Sequence, residues 1–257
     1  AAIQGAFVRA RAGGRAALIT YLTLGYPSPS ASLPLTLALQ AGGADLIELG
    51  VPFADPVADG PTIQRASQAA LQSGTTPVEC LRLASKLRHG GVTVPLVFMG
   101  YYNPIYRYGL SAYVRDCAAV GVDGLIVPDL PLEEAGPLAR ASREHGLALV
   151  MLVAPTSGED RIARIAAATE GFLYVVSRRG TTGDLGGPEP ETDGYLALAL
   201  RHAKTPVALG FGISTPAQVR MLSSRVDGIV IGSKLVEWAP EGYDALRDLV
   251  ASFRAAL

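Results

Sequence analysis

Short apolar runs alternate with longer amphipathic ones along this chain. The apolar runs cover residues 17–23, 45–49, 95–99, 124–127, 148–153, 172–176, 207–210 and 228–231. Each is almost continuously apolar, the pattern of a parallel strand covered on both faces. Between them the spacing predicts helices over 30–41, 61–72, 76–88, 111–120, 132–144, 158–168, 193–203 and 215–223, with a last one over 241–255. Eight strand–helix units in 257 residues make about 32 residues per unit, close to one βαβ repeat. An open doubly wound sheet alternates in the same way. Eight units without a linker or composition shift favour closure, so the expected fold is α/β: a single (β/α)8 TIM barrel with extra helices, residues 1–257 forming one domain. The unit after the second strand is longer and predicts an additional helix. Residues 178–192 are rich in Gly and Pro and predict a long loop after the sixth strand, of the kind that often serves as a lid.

Composition narrows the function classes. With 22 Lys+Arg against 23 Asp+Glu the net charge is −1, which leaves no basic excess for a nucleic-acid backbone. Apolar residues at 49% and charged ones at 18% exclude a disordered chain. Two cysteines make no disulfide framework, so a reducing, cytoplasmic setting is expected. The longest apolar run, residues 147–154, is too short to cross a bilayer. Ala1-Ala2-Ile3-Gln4-Gly5 has no charged segment leading into an apolar one and does not read as a signal peptide.

In a barrel of this kind the reactive residues lie at the carboxyl ends of the strands and in the loops that follow. His89, His145 and His202 all fall at helix ends just before strands, on the opposite face. Cys80 and Cys117 fall within helices with no His or Cys at ligand spacing, so no metal or thiol site is expected. Carboxylates are placed differently. Glu48 lies near the carboxyl end of the second strand, where a buried carboxyl without a cation would have a raised pKa suited to proton transfer; the alternative is a structural carboxylate paired with an arginine or a backbone amide. Asp59 precedes Gly60-Pro61 at a helix start and reads either as an N-cap or as a second active-site carboxylate. Asp129 ends the fourth strand and reads as a site residue or as a cap for the next helix.

Glycine-rich loops come last. Strand seven runs into Gly210-Phe211-Gly212-Ile213-Ser214 and strand eight into Gly232-Ser233. Loops at these two places commonly hold a phosphate on backbone N–H groups and hydroxyls. Thr182-Gly183, in the long loop, are placed to close over the same group. The residues alone therefore point to a barrel that binds a phosphorylated small molecule and performs acid–base chemistry with carboxylates, without metal or organic cofactor.

The stretch from Leu46 to Gln64, LIELGVPFADPVADGPTIQ, resembles the signature of the tryptophan synthase alpha chain family. Agreement continues through YLTLGYP at 21–27, MGYYNP at 99–104, VPDLP at 127–131 and GFGIS at 210–214, and extends from about residue 15 to about residue 250. The resemblance implies retro-aldol cleavage of indole-3-glycerol phosphate to indole and glyceraldehyde 3-phosphate. It implies Glu48 as general acid–base, Asp59 as partner of the indole N–H, and Tyr174 beside the reacting carbons. Tyr21, Met99, Tyr101 and Phe211 would form the indole slot, and Gly183, Gly212, Ile213, Gly232 and Ser233 the phosphate cradle. Asp129 would join the substrate site, and Thr182 would pack near Asp59 as its loop closes. The chain itself would carry no cofactor. Its expected partner is a beta chain, which holds pyridoxal phosphate, in an alpha2beta2 heterotetramer docked through Pro52, Phe53, Asp55, Pro56, Asn103 and Pro104.

Tyr21 stands where many relatives have Phe, the long loop beyond Thr182-Gly183 is unusually rich in Gly, Pro and acid, and the segment before Gly5 reads as shortened against the family pattern. The competing readings are a stand-alone lyase that releases free indole, a weak regulatory subunit, and a sugar-phosphate isomerase barrel. The docking loops favour a subunit, and the intact Glu48 and Asp59 disfavour the last two.

Overall fold

Eight strands form where the eight apolar runs lie: β1 (Ala17–Thr23), β2 (Leu46–Gly50), β3 (Leu96–Met99), β4 (Gly124–Ile126), β5 (Ala148–Val153), β6 (Leu173–Val176), β7 (Val207–Gly210) and β8 (Gly228–Ile231). The structure is a computed structural model and describes residues 2–176, 190–210 and 212–257. Every strand is parallel to its neighbours in chain order, and β8 pairs back with β1, with Ala17 opposite Gly228 and Thr20 opposite Ile231, to close the barrel. The helices are α1 (Ala2–Ala12), α2 (Ser32–Ala41), α3 (Pro61–Gln72), α4 (Pro77–His89), α5 (Tyr102–Tyr108), α6 (Leu110–Ala119), α7 (Gly136–Glu144), α8 (Glu159–Ala168), α9 (Pro190–His202), α10 (Pro216–Leu222), α11 (Ser233–Trp238) and α12 (Tyr243–Arg254).

Several helix boundaries differ from the pattern-based expectation. The stretch 132–144 begins its helix only at Gly136, because Pro137 lacks an N–H and fits the first turn of a helix. The stretch 30–41 opens with a 3₁₀ turn at Pro29–Ala31 before α2. The expected long loop 178–192 is shortened at its far end, since α9 starts at Pro190. Helices α1, α5 and α11 were not expected at all. In α5, Tyr, Asn and Pro make a poor helical sequence; Gly109, at φ 96°, stops it.

Alternation along the strands sorts residues into two layers. Leu18, Leu22, Ile47, Leu49, Phe98, Leu173, Val175 and Ile229 point outward and pack under the helices. Ile19, Tyr21, Leu46, Val97, Met99, Tyr174, Ala208 and Val230 fill the barrel interior. Helix α1 plugs the amino-terminal end of that interior. Its Ile3, Ala6, Phe7 and Ala10 are buried at helical spacing, and the Phe7 ring lies 5.6 Å from that of Phe172.

The same end is pinned by aspartates. Asp45, Asp123 and Asp227 each stand one residue before an even-numbered strand. Each accepts the backbone N–H of the preceding strand: Leu18 to Asp45 at 2.8 Å, Leu96 to Asp123 at 2.9 Å and Val207 to Asp227 at 2.9 Å. Each also pairs with arginine: Asp45 with Arg15 and Arg254, Asp123 with Arg88, and Asp227 with Arg11.

Candidate active site

Glu48 shares the parity of Leu46 and Gly50 in β2 and therefore points into the barrel, in register with Tyr21 on one side and Val97 on the other. It is 1% exposed. Among the described residues its Oε1 has no hydrogen-bond partner and the carboxyl has no ion pair. The structural ion pair weighed from the sequence is thus not formed among the described residues. Burial alone pushes the carboxyl up to about 8, so Glu48 holds its proton at neutral pH.

Asp59 lies in the loop between β2 and α3. It does not cap α3: the N-cap is Gly60, with no side-chain hydrogen bond. Its carboxylate instead accepts a hydrogen bond from Tyr101 Oη at 2.9 Å, and that oxygen in turn accepts the Ala58 N–H at 3.0 Å. Its carbonyl accepts from Gln64 Nε2 at 2.8 Å. The Tyr101 ring stacks on Phe53, with centroids 5.1 Å apart. Burial pushes Asp59 up to about 6, with the Tyr101 hydroxyl pulling it down. At neutral pH Asp59 is ionised while Glu48 is not.

Tyr21 and Tyr174 reach across the mouth of the barrel over glycines. A β-carbon on Gly50 would overlap the Tyr21 hydroxyl, and one on Gly210 would overlap that of Tyr174. Both phenols are pushed up, first by burial and then by the charges of Asp59 and Glu48. A cavity of about 250 Å³ lies among these groups. It brings together Tyr21, Glu48, Asp59, Met99, Tyr174, Gly212, Ile213, Gly232 and Ser233. The loop after β7 turns on Gly212, at φ 78°, and is braced by Gln218, whose Oε1 accepts the N–H groups of Ser214 at 2.9 Å and Thr215 at 3.1 Å. Gly232 forms the N-cap of α11, so Ser233 and Lys234 present first-turn N–H groups that a helix cannot satisfy itself.

Two expected binding residues stand outside this cavity. Tyr101 acts on it only through Asp59. Asp129 is exposed and its Oδ1 accepts the Tyr102 N–H at 2.9 Å, so it caps α5, a helix earlier in the chain, rather than the following one. Thr182, Gly183 and Phe211 lie outside the described residues, as does most of the expected lid. Ser214, part of the expected phosphate loop, also lines the cavity, as do Thr62, Ile63, Lys234 and Glu237, which were missed. The missed residues flank the recognised motifs at Asp59-Gly60-Pro61 and Gly232-Ser233, and that adjacency was the available signal. Of the expected docking residues, Asp55 and Asn103 are exposed, Phe53, Pro56 and Pro104 are half-buried, and Pro52 is buried.

The three histidines sit where expected, at the ends of α4, α7 and α9 away from the cavity. Cys80 and Cys117 are free and buried. Among the described residues no cluster of His, Cys, Asp or Glu is arranged to hold a metal ion, and no helix is long and apolar enough to cross a membrane.

Known proteins match this arrangement along nearly the whole chain. The sequence model of the family described as "Tryptophan synthase alpha chain" matches residues 7–255. A tryptophan synthase alpha chain of Roseiflexus sp. is 47% identical over 253 residues, 96% of this chain and 97% of the relative. One from Dehalococcoides mccartyi is 46% identical over 223 residues, 87% of each chain. A solved structure of tryptophan synthase from Mycobacterium tuberculosis superposes with a TM-score of 0.91 at 40% identity, covering 99% of this chain and 97% of that one. On the strength of these matches and the closed eight-stranded barrel, this chain belongs to the tryptophan synthase alpha chain family, the lyases that cleave indole-3-glycerol phosphate.

Proposed function

We propose that Glu48 and Asp59 divide the work of retro-aldol cleavage between a proton carrier and a fixed negative charge. The observation that carries this reading is their contrast: two buried carboxyls line one cavity, one protonated at neutral pH and the other ionised. Protonated Glu48 delivers its proton to C3 of the indole ring. Asp59 accepts the indole N–H and stabilises the positive charge that develops on that nitrogen. The Glu48 carboxylate then takes the proton of the glycerol hydroxyl as the C–C bond breaks. Its electron pair returns to the ring, the hydroxyl carbon becomes the aldehyde, and Glu48 ends protonated as it began.

Tyr21, Met99 and Phe211 flank the ring in this reading, with Tyr174 beside the reacting carbons. Gly183, Gly212, Ile213, Gly232 and Ser233 hold the phosphate, and Thr182 belongs to the segment that shields the site. Asp129 contributes by holding α5 and not by touching substrate. Indole then passes to a beta chain, which holds pyridoxal phosphate. The docking face is the loop from β2 to α3 together with α5, where Asp55 and Asn103 are exposed and two large apolar side chains, Val57 at 80% and Tyr106 at 64%, face solvent. The assembly is an alpha2beta2 heterotetramer in the cytoplasm, and the two free buried thiols suit that compartment.

The test is indole release from indole-3-glycerol phosphate by the purified chain, with and without a tryptophan synthase beta chain. Slow release that rises strongly when the beta chain is added is expected. Fast release indifferent to the beta chain would make the chain a stand-alone lyase, and no release in either case would overturn the reading.

A further inference from the structure

The charged groups around the cavity are unevenly placed. Among the described lining residues there are three carboxyls, Glu48, Asp59 and Glu237, and a single cation, Lys234. Glu48 and Asp59 belong to β2 and the loop after it. Lys234 and Glu237 belong to α11, beside the glycine loop that follows β8. The loops after β7 and β8 of such barrels are where phosphate groups bind. Among the described residues, the one cation lining the cavity therefore sits at its phosphate end.

Lys234 has two partners there. Its Nζ lies 3.1 Å from Glu237 Oε2 and 5.4 Å from the centre of the Trp238 ring. The lysine side chain is 29% exposed and that of the glutamate 61%, so the lysine is the more buried partner of the two. A pair one helical turn apart and this exposed is held weakly. The ring contact needs no counter-charge. Helix α11 has only six residues, so its own dipole offers little to an anion. A phosphate held there by backbone N–H groups and the Ser233 hydroxyl lacks a full positive charge unless a side chain supplies one.

We propose that Lys234 is a specificity-determining residue whose ammonium leaves Glu237 for the phosphate of the substrate. The proposal rests on the reading of the cavity given above and adds to it a residue that selects phosphorylated over unphosphorylated ligands. Lysine suits the role because its flexible stem lets a point charge change partners.

Three variants test it: Lys234→Met, which keeps the stem over Trp238 but removes the charge, Lys234→Arg, and Glu237→Gln. For indole-3-glycerol phosphate, Lys234→Met is expected to raise KM about 10-fold and leave kcat within about twofold, a charge-assisted contact discounted for partial exposure. Lys234→Arg restores most of the loss. Glu237→Gln lowers KM about twofold, because the ammonium no longer has a competing partner. Cleavage of the dephosphorylated substrate, indole glycerol, does not respond to any of them. An unchanged KM in Lys234→Met, or an equal loss with indole glycerol, would overturn the proposal. Calorimetric titration of the full chain with glycerol 3-phosphate separates the two readings. If the unaltered chain cleaves substrate and both it and Lys234→Met bind glycerol 3-phosphate equally, the role of Lys234 fails and the reaction stands. If the unaltered chain binds glycerol 3-phosphate through Lys234 but cleaves nothing, the reaction fails and the role of Lys234 stands. If it neither binds nor cleaves, both fail.

Discussion

The two ends of this barrel treat carboxylates in opposite ways. At the amino-terminal end Asp45, Asp123 and Asp227 are each matched to an arginine and to a strand N–H. At the carboxyl-terminal end Glu48 and Asp59 are buried, and among the described residues neither has an ion-pair partner and Glu48 Oε1 lacks even a hydrogen bond. Burying a charge without a partner is costly, and the cost appears as a raised pKa. The paired end ties β1 to β2, β3 to β4 and β7 to β8. The unpaired end holds protons at the wrong pH for a structural carboxylate, which is what acid–base chemistry near neutrality requires. One residue type thus serves stability or chemistry according to the company it is given.

The largest effects should come from Glu48. Glu48→Gln keeps the shape and removes the proton carrier, so cleavage should fall by about 10³- to 10⁴-fold, the upper range for general acid–base groups. The same change should make the protein more stable in alkali. Unfolded, a glutamate titrates near 4.5, whereas folded Glu48 titrates at about 8. Between those values the folded state binds the extra proton, so stability falls as pH rises through the window. By pH 8 the loss is on the order of 3–5 kcal/mol, and Glu48→Gln is free of it. Thermal unfolding of both proteins at pH 5 and pH 8.5 checks this: the melting points should lie close together at pH 5 and separate in favour of the variant at pH 8.5. A variant that melts below the parent at pH 8.5 would mean that Glu48 has a stabilising partner.

Asp59→Asn should lower kcat by about 10²- to 10³-fold, as expected for removing preorganised charge from a developing cation. The two carboxyls together set a pH profile. Cleavage needs Asp59 ionised and Glu48 protonated, so kcat/KM should fall below about pH 6 and above about pH 8. A profile flat from pH 5 to 9 would show that the contrast between the two groups plays no part in the rate.

At the other end the expectation reverses. Asp45→Asn leaves Arg15 and Arg254 without their shared carboxylate at a site only 14–32% exposed. Unfolding in urea should show a loss of about 2–3 kcal/mol, somewhat below the range for fully buried pairs. The kcat of the folded fraction should match that of the parent. A large fall in kcat at full folding would break the division of labour between the two ends.

Much of this was legible in the chain, and the failures have physical causes. The strands were readable because a parallel barrel buries both faces and so writes continuous apolar runs; β1, β5, β7 and β8 have the expected bounds to the residue. Glu48 stood out because a charged residue interrupts one of those runs. Asp59 and Asp129 were ambiguous, since a carboxylate before a helix reads the same whether it caps the helix or not. Only the fold shows that Tyr101, 42 residues on, bonds Asp59, and that Asp129 turns back to cap α5. Helix α1 was missed because its apolar face finds its partner, Phe172, 165 residues away from Phe7. Lys234 was missed because a lysine in a short helix is usually just solvated, and only its neighbours in space say otherwise.

Tyr101 yields the smallest and most specific prediction. Its hydroxyl donates to Asp59 at 2.9 Å and accepts from Ala58, while its ring stacks on Phe53 of the same loop. Tyr101→Phe keeps the stack and deletes both hydrogen bonds. Among the described residues the Tyr101 hydroxyl is the group that pulls Asp59 down against its burial, so without it Asp59 titrates higher than about 6. The acid limb of the rate profile should therefore move to higher pH, while the alkaline limb, which belongs to Glu48, stays in place. At pH 7 the rate falls only to the extent that Asp59 becomes protonated, by a few-fold, and stability drops by about 1 kcal/mol for the lost hydrogen bonds. A movement of both limbs together would mean that Glu48 and Asp59 titrate as a coupled pair. A movement of neither would mean that Tyr101 only supports the loop, and that burial alone decides which of the two carboxyls keeps its proton.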